Sequence, residues 1–307
     1  MSERADRSDH LASGRNGKMR EVASADLQQQ IRQHAQTYRG PRGKTLSTLT
    51  LADGEKIAAA LNLPRIKVEL AALDLGIWPR RYLRNVGSLG IEGQKKLLQS
   101  KVLVVGAGGL GGTVAQLLAR IGVGSLVLGD GDSFTEENLN RQAFSFESNL
   151  GQSKVQAARS EISRVNGSTE VQIFEGLVGE KDLFHLTQGA NLAIDALDNL
   201  PTRFLLEKAC RHAGIPMIHG AVAGFQGQIL VVYPDDPGLQ TIYGDPRSMP
   251  ERGVELELGN LPGIVSAIAS LQVQEAVKIL TGLGQPFRHR LFFLDSLEGS
   301  VQIIYLK

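Results

Sequence analysis

The sequence predicts a doubly wound α/β fold, and three observations carry the prediction. Short apolar runs rich in β-branched residues recur along the chain. Amphipathic stretches of helical spacing separate most of them. The first run, Lys101-Val102-Leu103-Val104-Val105, passes directly into a glycine cluster. An uninterrupted apolar run of that length suits a parallel strand buried on both faces, and alternation of strand with helix builds a sheet covered on both sides.

The chain has 307 residues, 42% of them apolar and 21% charged, enough for a sizeable core. Lys and Arg number 33 against 32 Asp and Glu, so no overall field draws the chain to nucleic acid or an anionic membrane, and partner recognition is expected to be local. The charged N-terminus has no apolar run behind it, and no stretch is expected to approach the roughly 20 apolar residues that span a bilayer. A single cysteine, Cys210, excludes an internal disulfide framework and a tetrathiolate zinc site within one chain. A reducing, cytoplasmic setting is expected.

Taken in order, residues 1–46 are rich in Arg, Gln, Ser, Asp and Gly and are expected to be a disordered tail, with at most one isolated helix after Ser24-Ala25-Asp26. Over 47–77, apolar residues at helical spacing (Ile57, Leu61, Val68, Leu70, Ala71, Leu75), interrupted by Pro64, predict two short helices in an accessory segment. The main domain is expected over 78–307, entered by a helix from about Glu92 to Leu98. Strands follow at 101–105, 125–128, 171–174, 192–194 and 216–218, with helices over 110–122, 153–165 and 200–213. After Gly224 the rhythm changes to a strand from Gln228 to Tyr233, a polar loop 234–258, a long helix 262–281, and strands near 290–295 and 301–306. These later strands are expected to run antiparallel. The whole is therefore a Rossmann-like doubly wound sheet, its parallel N-terminal half continuing into an antiparallel C-terminal half, with a short helical N-terminal extension.

Gly106-Ala107-Gly108-Gly109-Leu110-Gly111 lies between a buried strand and a helix, the context in which glycines let a backbone approach a phosphate at a helix N-terminus. Asp130 closes the next strand, where a carboxylate accepts from ribose hydroxyls. These features alone leave a dinucleotide dehydrogenase open, but that reading gives no role to Glu137-Asn138-Leu139-Asn140-Arg141-Gln142 or to Gly151-Gln152-Ser153-Lys154. Arg141 offers a planar fork and Lys154 a point charge at the head of a helix; either alone is a solvated basic residue, and together they suit a triphosphate. Ile194-Asp195-Ala196-Leu197-Asp198-Asn199 puts two carboxylates and an amide at the carboxyl edge of a strand. There Asp198 suits Mg²⁺, with Asp195 orienting the loop; the competing role is helix capping by Asp198 or Asn199 ahead of Pro201. Cys210 falls at apolar spacing on a helix and reads as a packed thiol, and His219 as a structural residue.

The order of these motifs, with Arg81-Tyr82-Leu83-Arg84 before them and Gly227-Gln228 after, resembles the MoeB/ThiF/HesA family, bacterial relatives of the ubiquitin-activating enzymes, from about Arg81 to the C-terminus. The resemblance implies that Gly106, Gly108, Gly109, Gly111 and Asp130 hold the adenosine of ATP, and that Asn138, Arg141 and Lys154 hold the triphosphate. It further implies that Asp198 holds Mg²⁺ and that Arg84 reaches the phosphates across a homodimer interface. The implied reaction is attack of the C-terminal glycine carboxylate of a ubiquitin-like sulfur-carrier protein, ending in Gly-Gly, on the α-phosphorus of ATP. The sequence departs from the family in lacking the paired Cys-x-x-Cys motifs, so no zinc is expected. It also lacks a cysteine in the polar loop, so sulfur is expected from a separate donor protein. The alternatives are a tRNA-modifying dehydratase of the same superfamily, an NAD-dependent oxidoreductase and a catalytically silent nucleotide-bound scaffold. Arg247 and Arg252 are the only basic residues of the loop 234–258, which weighs against tRNA.

Overall fold

In the computed structural model the described residues are 25–40, 43–245, 247 and 255–306. The chain divides between Lys95 and Lys96 into two units. Expectations for residues 1–24, and those of the polar loop that concern 246 and 248–254, lie outside the described residues.

The smaller unit runs through helix α1 (residues 25–34), strands β1 (Gln36–Arg39) and β2 (Thr45–Leu49), helices α2 (Leu51–Ala60) and α3 (Arg65–Asp74), and strand β3 (Trp78–Pro79). A 3-10 turn, Arg80–Asn85, and helix α4 (Val86–Leu98), kinked at Gly90 with φ +65°, carry the chain onward. The two expected helices are present: Thr50 caps α2 by accepting the Asp53 N–H, and Pro64 stands at the N-cap of α3. The tail expected over 1–46 differs at its C-terminal end. β1 pairs antiparallel with β2 (Gln36↔Thr48), and β2 pairs parallel with β3 (Thr48↔Trp78). Ile31 and Leu49 are almost wholly buried with Ile57, Val68, Ala72 and Ile77. A polar segment with few apolar residues is ordered here because those few complete a core supplied by α2 and α3, a gain of roughly 1.5–3 kcal/mol for each buried Ile or Leu. For the same reason the boundary falls after residue 95 instead of near 78, since Trp78 and Pro79 belong to this small sheet.

The larger unit is built on eight strands: β4 (Lys101–Val105), β5 (Ser125–Asp130), β6 (Glu170–Glu175), β7 (Leu192–Asp195), β8 (Met217–Ala223), β9 (Gln226–Val232), β10 (Arg290–Asp295) and β11 (Ser300–Tyr305), in the order β11-β10-β9-β8-β7-β4-β5-β6. β4 to β8 pair in parallel, and β9, β10 and β11 join antiparallel, as the change of rhythm after Gly224 predicts. Helices α5 (Gly109–Ile121), α6 (Lys154–Val165), α7 (Glu180–Leu186) and α8 (Leu200–Ala213) fill the crossovers, and short α9 (Gln240–Tyr243) and α10 (Glu255–Leu258) precede α11 (Pro262–Thr281). Leu103 and Val105 join Leu183, Leu206, Ala209 and Cys210 in one core cluster, while Val102 and Val104 are buried just as fully, so β4 is covered on both faces.

Contrary to expectation, one stretch does reach membrane-spanning length and apolarity, namely α11. Its apolar residues Ile264, Val265, Ile268, Ala269, Val273 and Ala276 are buried inside the protein, where the helix packs against α5, β8 and β9. Gly227 makes that packing possible, since a Cβ there would lie 2.3 Å from Ile268. The topology matters for function because it reverses direction at β4, with β5 on one side and β7 on the other. A cleft opens at the carboxyl ends of the strands at such a point.

Candidate functional site

β4 is followed by Gly106, whose φ of +92° lies in the left-handed region and whose N–H donates to Gly129 O at 2.8 Å. A Cβ at Gly106 would sit 2.4 Å from Ala196 O, so the turn presses against the loop after β7. Gly111 is a packing glycine: a Cβ there would lie 1.7 Å from Gly106 O, and it does not line the cleft. Gly108 is the N-cap of α5 and makes no side-chain cap, leaving the amide N–H groups of the first turn to meet an anion.

Asp130, at the end of β5, accepts from Ala107 N–H at 2.6 Å and from Asp132 N–H at 2.8 Å. It therefore ties the glycine turn to its own loop, a role beyond the ribose contact expected of it, and each oxygen keeps a further lone pair. Burial pushes its carboxyl above the usual range, against the pull of the two amides and of Lys154. Lys154, the first residue of α6, is buried and pairs with Asp132 at 2.8 Å. Asn138 is buried in a 3-10 turn, its Oδ1 accepting from Thr135 N–H. Arg141, half-buried, donates through Nη1 to Glu137 O and to Asn140 Oδ1. Beside it Gln142 is buried and its Oε1 has no partner among the described residues.

The third edge of the site follows β7. Asp195 is wholly buried and accepts from Leu197 N–H at 3.1 Å and from His219 Nδ1 at 2.7 Å. The second contact puts the ring proton on Nδ1 and leaves Nε2 to accept from Tyr243 Oη at 3.1 Å. Arg203, one turn into α8, is nearly as buried; its Nη2 donates to Leu197 O at 2.5 Å and its Nη1 lies 3.9 Å from Asp195 Oδ2. Burial pushes the Asp195 carboxyl up, but Arg203 and His219 overcome this and hold it below the usual range; burial pushes the His219 imidazole down. Asp195 is thus an anion and His219 neutral near pH 7. Together Asp195 and Arg203 clamp both peptide groups of Leu197 and so fix the loop that carries Asp198. Asn199 caps α8, its Oδ1 accepting Thr202 N–H at 3.0 Å, which leaves Asp198 exposed in the cleft and free of the capping role.

These edges enclose a cavity of about 640 Å³, a volume suited to a nucleotide, and Gly106, Gly108, Gly109, Asp130, Asn138, Arg141, Lys154 and Asp198 all line it. Arg84 lies in the smaller unit, exposed in the last turn of Arg80–Asn85. Sequence reasoning missed Gln142 as a cleft residue and Arg203 altogether. Gln142 stood inside a motif already read for its neighbours, and an arginine within a helix reads as part of a solvated face. For Mg²⁺ the donor set fits, since the ion takes one or two protein carboxylates and completes its shell with waters and phosphate oxygens.

Residues 82–307 match the ThiF family. The chain is 36% identical over 229 residues to the SAMP-activating enzyme E1 of Haloferax volcanii, covering 73% of this chain and 84% of that protein. It is 34% identical over 236 residues to the maize adenylyltransferase and sulfurtransferase MOCS3-1, and 36% over 234 residues to the probable adenylyltransferase/sulfurtransferase MoeZ of Mycobacterium tuberculosis. Of those two it spans 49% and 60% of the length, and each alignment takes in 74% of this chain. Among solved structures, PaaA superposes with a TM-score of 0.63 at 23% identity, covering 74% of this chain and 73% of PaaA. E. coli MccB with ATP superposes with a TM-score of 0.65 at 21% identity, covering 82% and 79%. Both share the fold. By the extent of the family match and the identity to these enzymes, the chain belongs to the ThiF family and is an adenylyltransferase.

Proposed function

We propose that this enzyme uses ATP and Mg²⁺ to adenylate the C-terminal glycine carboxylate of a ubiquitin-like sulfur-carrier protein, preparing it to receive sulfur as a thiocarboxylate. The observation that carries the reading is the convergence of the glycine turn, Lys154, Arg141 and Asp198 on one cavity at the topological reversal of the sheet. The N–H groups at the head of α5 take the phosphates, Arg141 and Lys154 offset the charge that builds on the departing pyrophosphate, and Asp130 orients the ribose. The carrier's carboxylate oxygen forms a bond to the α-phosphorus as the bond to pyrophosphate breaks, giving an acyl-adenylate. A carboxylate ionised at pH 7 needs no general base, so positioning and charge neutralisation carry the catalysis. When bound, Mg²⁺ supplies further positive charge at the phosphates, and Asp198 is the residue to hold it. Arg84 is assigned to the phosphates of the opposite subunit in a homodimer.

The names of the relatives support the substrate class: one activates SAMP, and others are adenylyltransferases and sulfurtransferases. Cys210 supports a separate sulfur donor, because it is buried in the core and burial pushes its thiol far above the range in which a thiolate forms. We further propose a cytoplasmic enzyme without structural zinc. The test is exchange of labelled pyrophosphate into ATP with purified protein, Mg²⁺ and a carrier ending in Gly-Gly. Exchange that depends on the carrier is expected. Exchange with tRNA alone, or nicotinamide-dependent turnover, replaces the proposal with one of its alternatives.

A further inference from the structure

His219 takes no part in the chemistry of the cleft and does not line it, yet its side chain is wholly buried and bonded through both ring nitrogens. The sheet sets the first contact. Asp195 and His219 are register partners across the parallel pair β7 and β8, and His219 Nδ1 lies 2.7 Å from Asp195 Oδ2. Arg203 Nη1 also approaches Nδ1, at 3.3 Å, but the closer, anionic carboxylate takes the Nδ1 proton. On the far side of the ring, Tyr243 Oη at the end of α9 donates to Nε2 at 3.1 Å and accepts from Gln228 Nε2, on β9, at 2.8 Å. The Tyr243 and His219 rings meet edge to face, 5.6 Å between centroids. Gln228, Tyr243, His219 and Asp195 thus form one chain in which each of the first three donates to the next. It ends where Asp195 Oδ1 accepts from Leu197 N–H at 3.1 Å.

That end point separates the chain from a polar core that merely satisfies itself. Ala196, the first residue of the loop after β7, is fixed by the sheet: its N–H donates to Val105 O at 3.0 Å, and its carbonyl is backed by the glycine turn. Leu197, the next, is held by side chains alone, and Asp198 follows it into the cleft. A carboxylate turns readily about χ2, so Asp195 is a precise partner for Leu197 N–H only if its second oxygen is pinned. Arg203 Nη1, 3.9 Å from Oδ2, is too far to do so by a hydrogen bond. His219 is close enough.

We propose that His219 is a positioning residue of the adenylation site: it orients the Asp195 carboxylate and, through Leu197, the loop that presents Asp198 to Mg²⁺, with Tyr243 and Gln228 holding its ring. The proposal rests on the role given to Asp198 above.

The test uses His219→Asn, whose amide N–H takes the place of Nδ1, and His219→Gln, whose amide reaches the place of Nε2 and leaves Asp195 without its donor. Calorimetric titration of the full-length enzyme with ATP, with and without Mg²⁺ and in the absence of carrier, reads the tightening of ATP that the ion brings. Thermal unfolding is read beside it. Linked ligands help one another by about 5–150-fold, so a tightening of about tenfold or more is expected in the unaltered enzyme, and Asp198→Ala should abolish it. His219→Asn should keep it within about twofold. His219→Gln should lose most of it and lower pyrophosphate exchange by about tenfold or more, as the loss of an outer partner of a metal ligand does. In the Asp198→Ala background His219→Gln should change ATP affinity and residual exchange by no more than about twofold, because the group it positions is already gone. Full tightening in His219→Gln, equal losses in the Asn and Gln variants, or an undiminished loss in the Asp198→Ala background overturns the positioning role and assigns His219 to structure. Should His219→Gln fail to fold, Tyr243→Phe decides. It lacks one oxygen of a half-buried residue, and the tightening should fall by about threefold, less than on loss of the ring because Gln228 Nε2, 3.4 Å from Nε2, takes over the donation. Full tightening there overturns the proposal. An unaltered enzyme without tightening, or Asp198→Ala that keeps it, overturns the role of Asp198 and the positioning with it, while carrier-dependent exchange still tests adenylation itself.

Discussion

Removing the positive partner of the buried Asp195 tests the electrostatic account of the site. In Arg203→Met a side chain of similar length replaces the guanidinium, so packing changes little while Asp195 loses its counter-charge and Leu197 O loses its donor. Breaking a buried pair from one side costs about 3–5 kcal/mol, because a charge is left in a medium that cannot solvate it. For a unit of this size, at roughly 2–4 °C for each kcal/mol, the midpoint of thermal unfolding should fall by about 6–20 °C. The pH dependence carries the sign. In the native enzyme the Asp195 carboxyl is held below its unfolded value, so its contribution is present above the ordinary carboxylate range and is lost as pH falls through the depressed folded pKa. In Arg203→Met burial prevails and the folded pKa rises above the unfolded one. The deficit should then be largest near pH 7 and shrink as pH falls into the range where Asp195 takes up a proton. Urea unfolding of both proteins across pH 4–8 measures it, and Asp195→Asn introduced into Arg203→Met should restore part of the loss. A deficit below about 1 kcal/mol, or one that is flat with pH and deepened by Asp195→Asn, would falsify the assignment of Asp195 as a buried anion paired with Arg203.

Other consequences are open to simple assays. Gly111→Ala should abolish ATP binding and lower stability, since its Cβ would meet Gly106 O at 1.7 Å and neither backbone can yield; isothermal titration with ATP reads it. Asp198→Ala should cut pyrophosphate exchange by about 100-fold or more while leaving the unfolding midpoint unchanged, because Asp198 is exposed and Asn199, not Asp198, caps α8. A lower midpoint would assign Asp198 to structure. Cys210 should resist a thiol reagent at pH 8 in the native protein and react fully in urea, as its buried, upshifted thiol requires; rapid native labelling refutes the packing.

Much of the larger unit was legible because its signals are local. Lys101–Val105 carries its burial on both faces in its composition, and the turn from Gly106 to Gly111 has no room for a side chain at either of those two glycines. Asp198 was legible as a ligand candidate because a strand end with two carboxylates and an amide has few uses, and the capping role fell to Asn199. What was not legible depends on partners distant in sequence. β1 and the first residues of β2 read as tail because Gln36-Thr37-Tyr38-Arg39 has no pattern of its own and acquires one only against Thr48 and the core of α2 and α3. Arg203 was invisible for a related reason: its partners Asp195 and Leu197 lie before its helix begins, and its burial is decided by β8 and α9 arriving from residues 219 and 243. Asp130 was legible as a residue at a strand end, but its hold on Ala107 N–H belongs to the tertiary fold.

The strand order also dictates a timetable for synthesis. β4 gains one neighbour early, when Val102 meets Leu126, but its other neighbour begins only at Leu192. Until then the glycine turn has no Ala196 to rest against and the cleft has one wall missing. A nascent chain that has emerged through β6 therefore shows an apolar strand edge to solvent and can gain nothing from ATP as a folding ligand. Release from that state waits on the 17 residues from Glu175 to Leu192, and the pairing it completes joins Val102 to Leu192, 90 residues apart, a separation at which pairs form slowly. The exposed edge of β4 is where a chaperone would hold the growing chain, and truncations ending between β6 and β7 are the fragments that would aggregate.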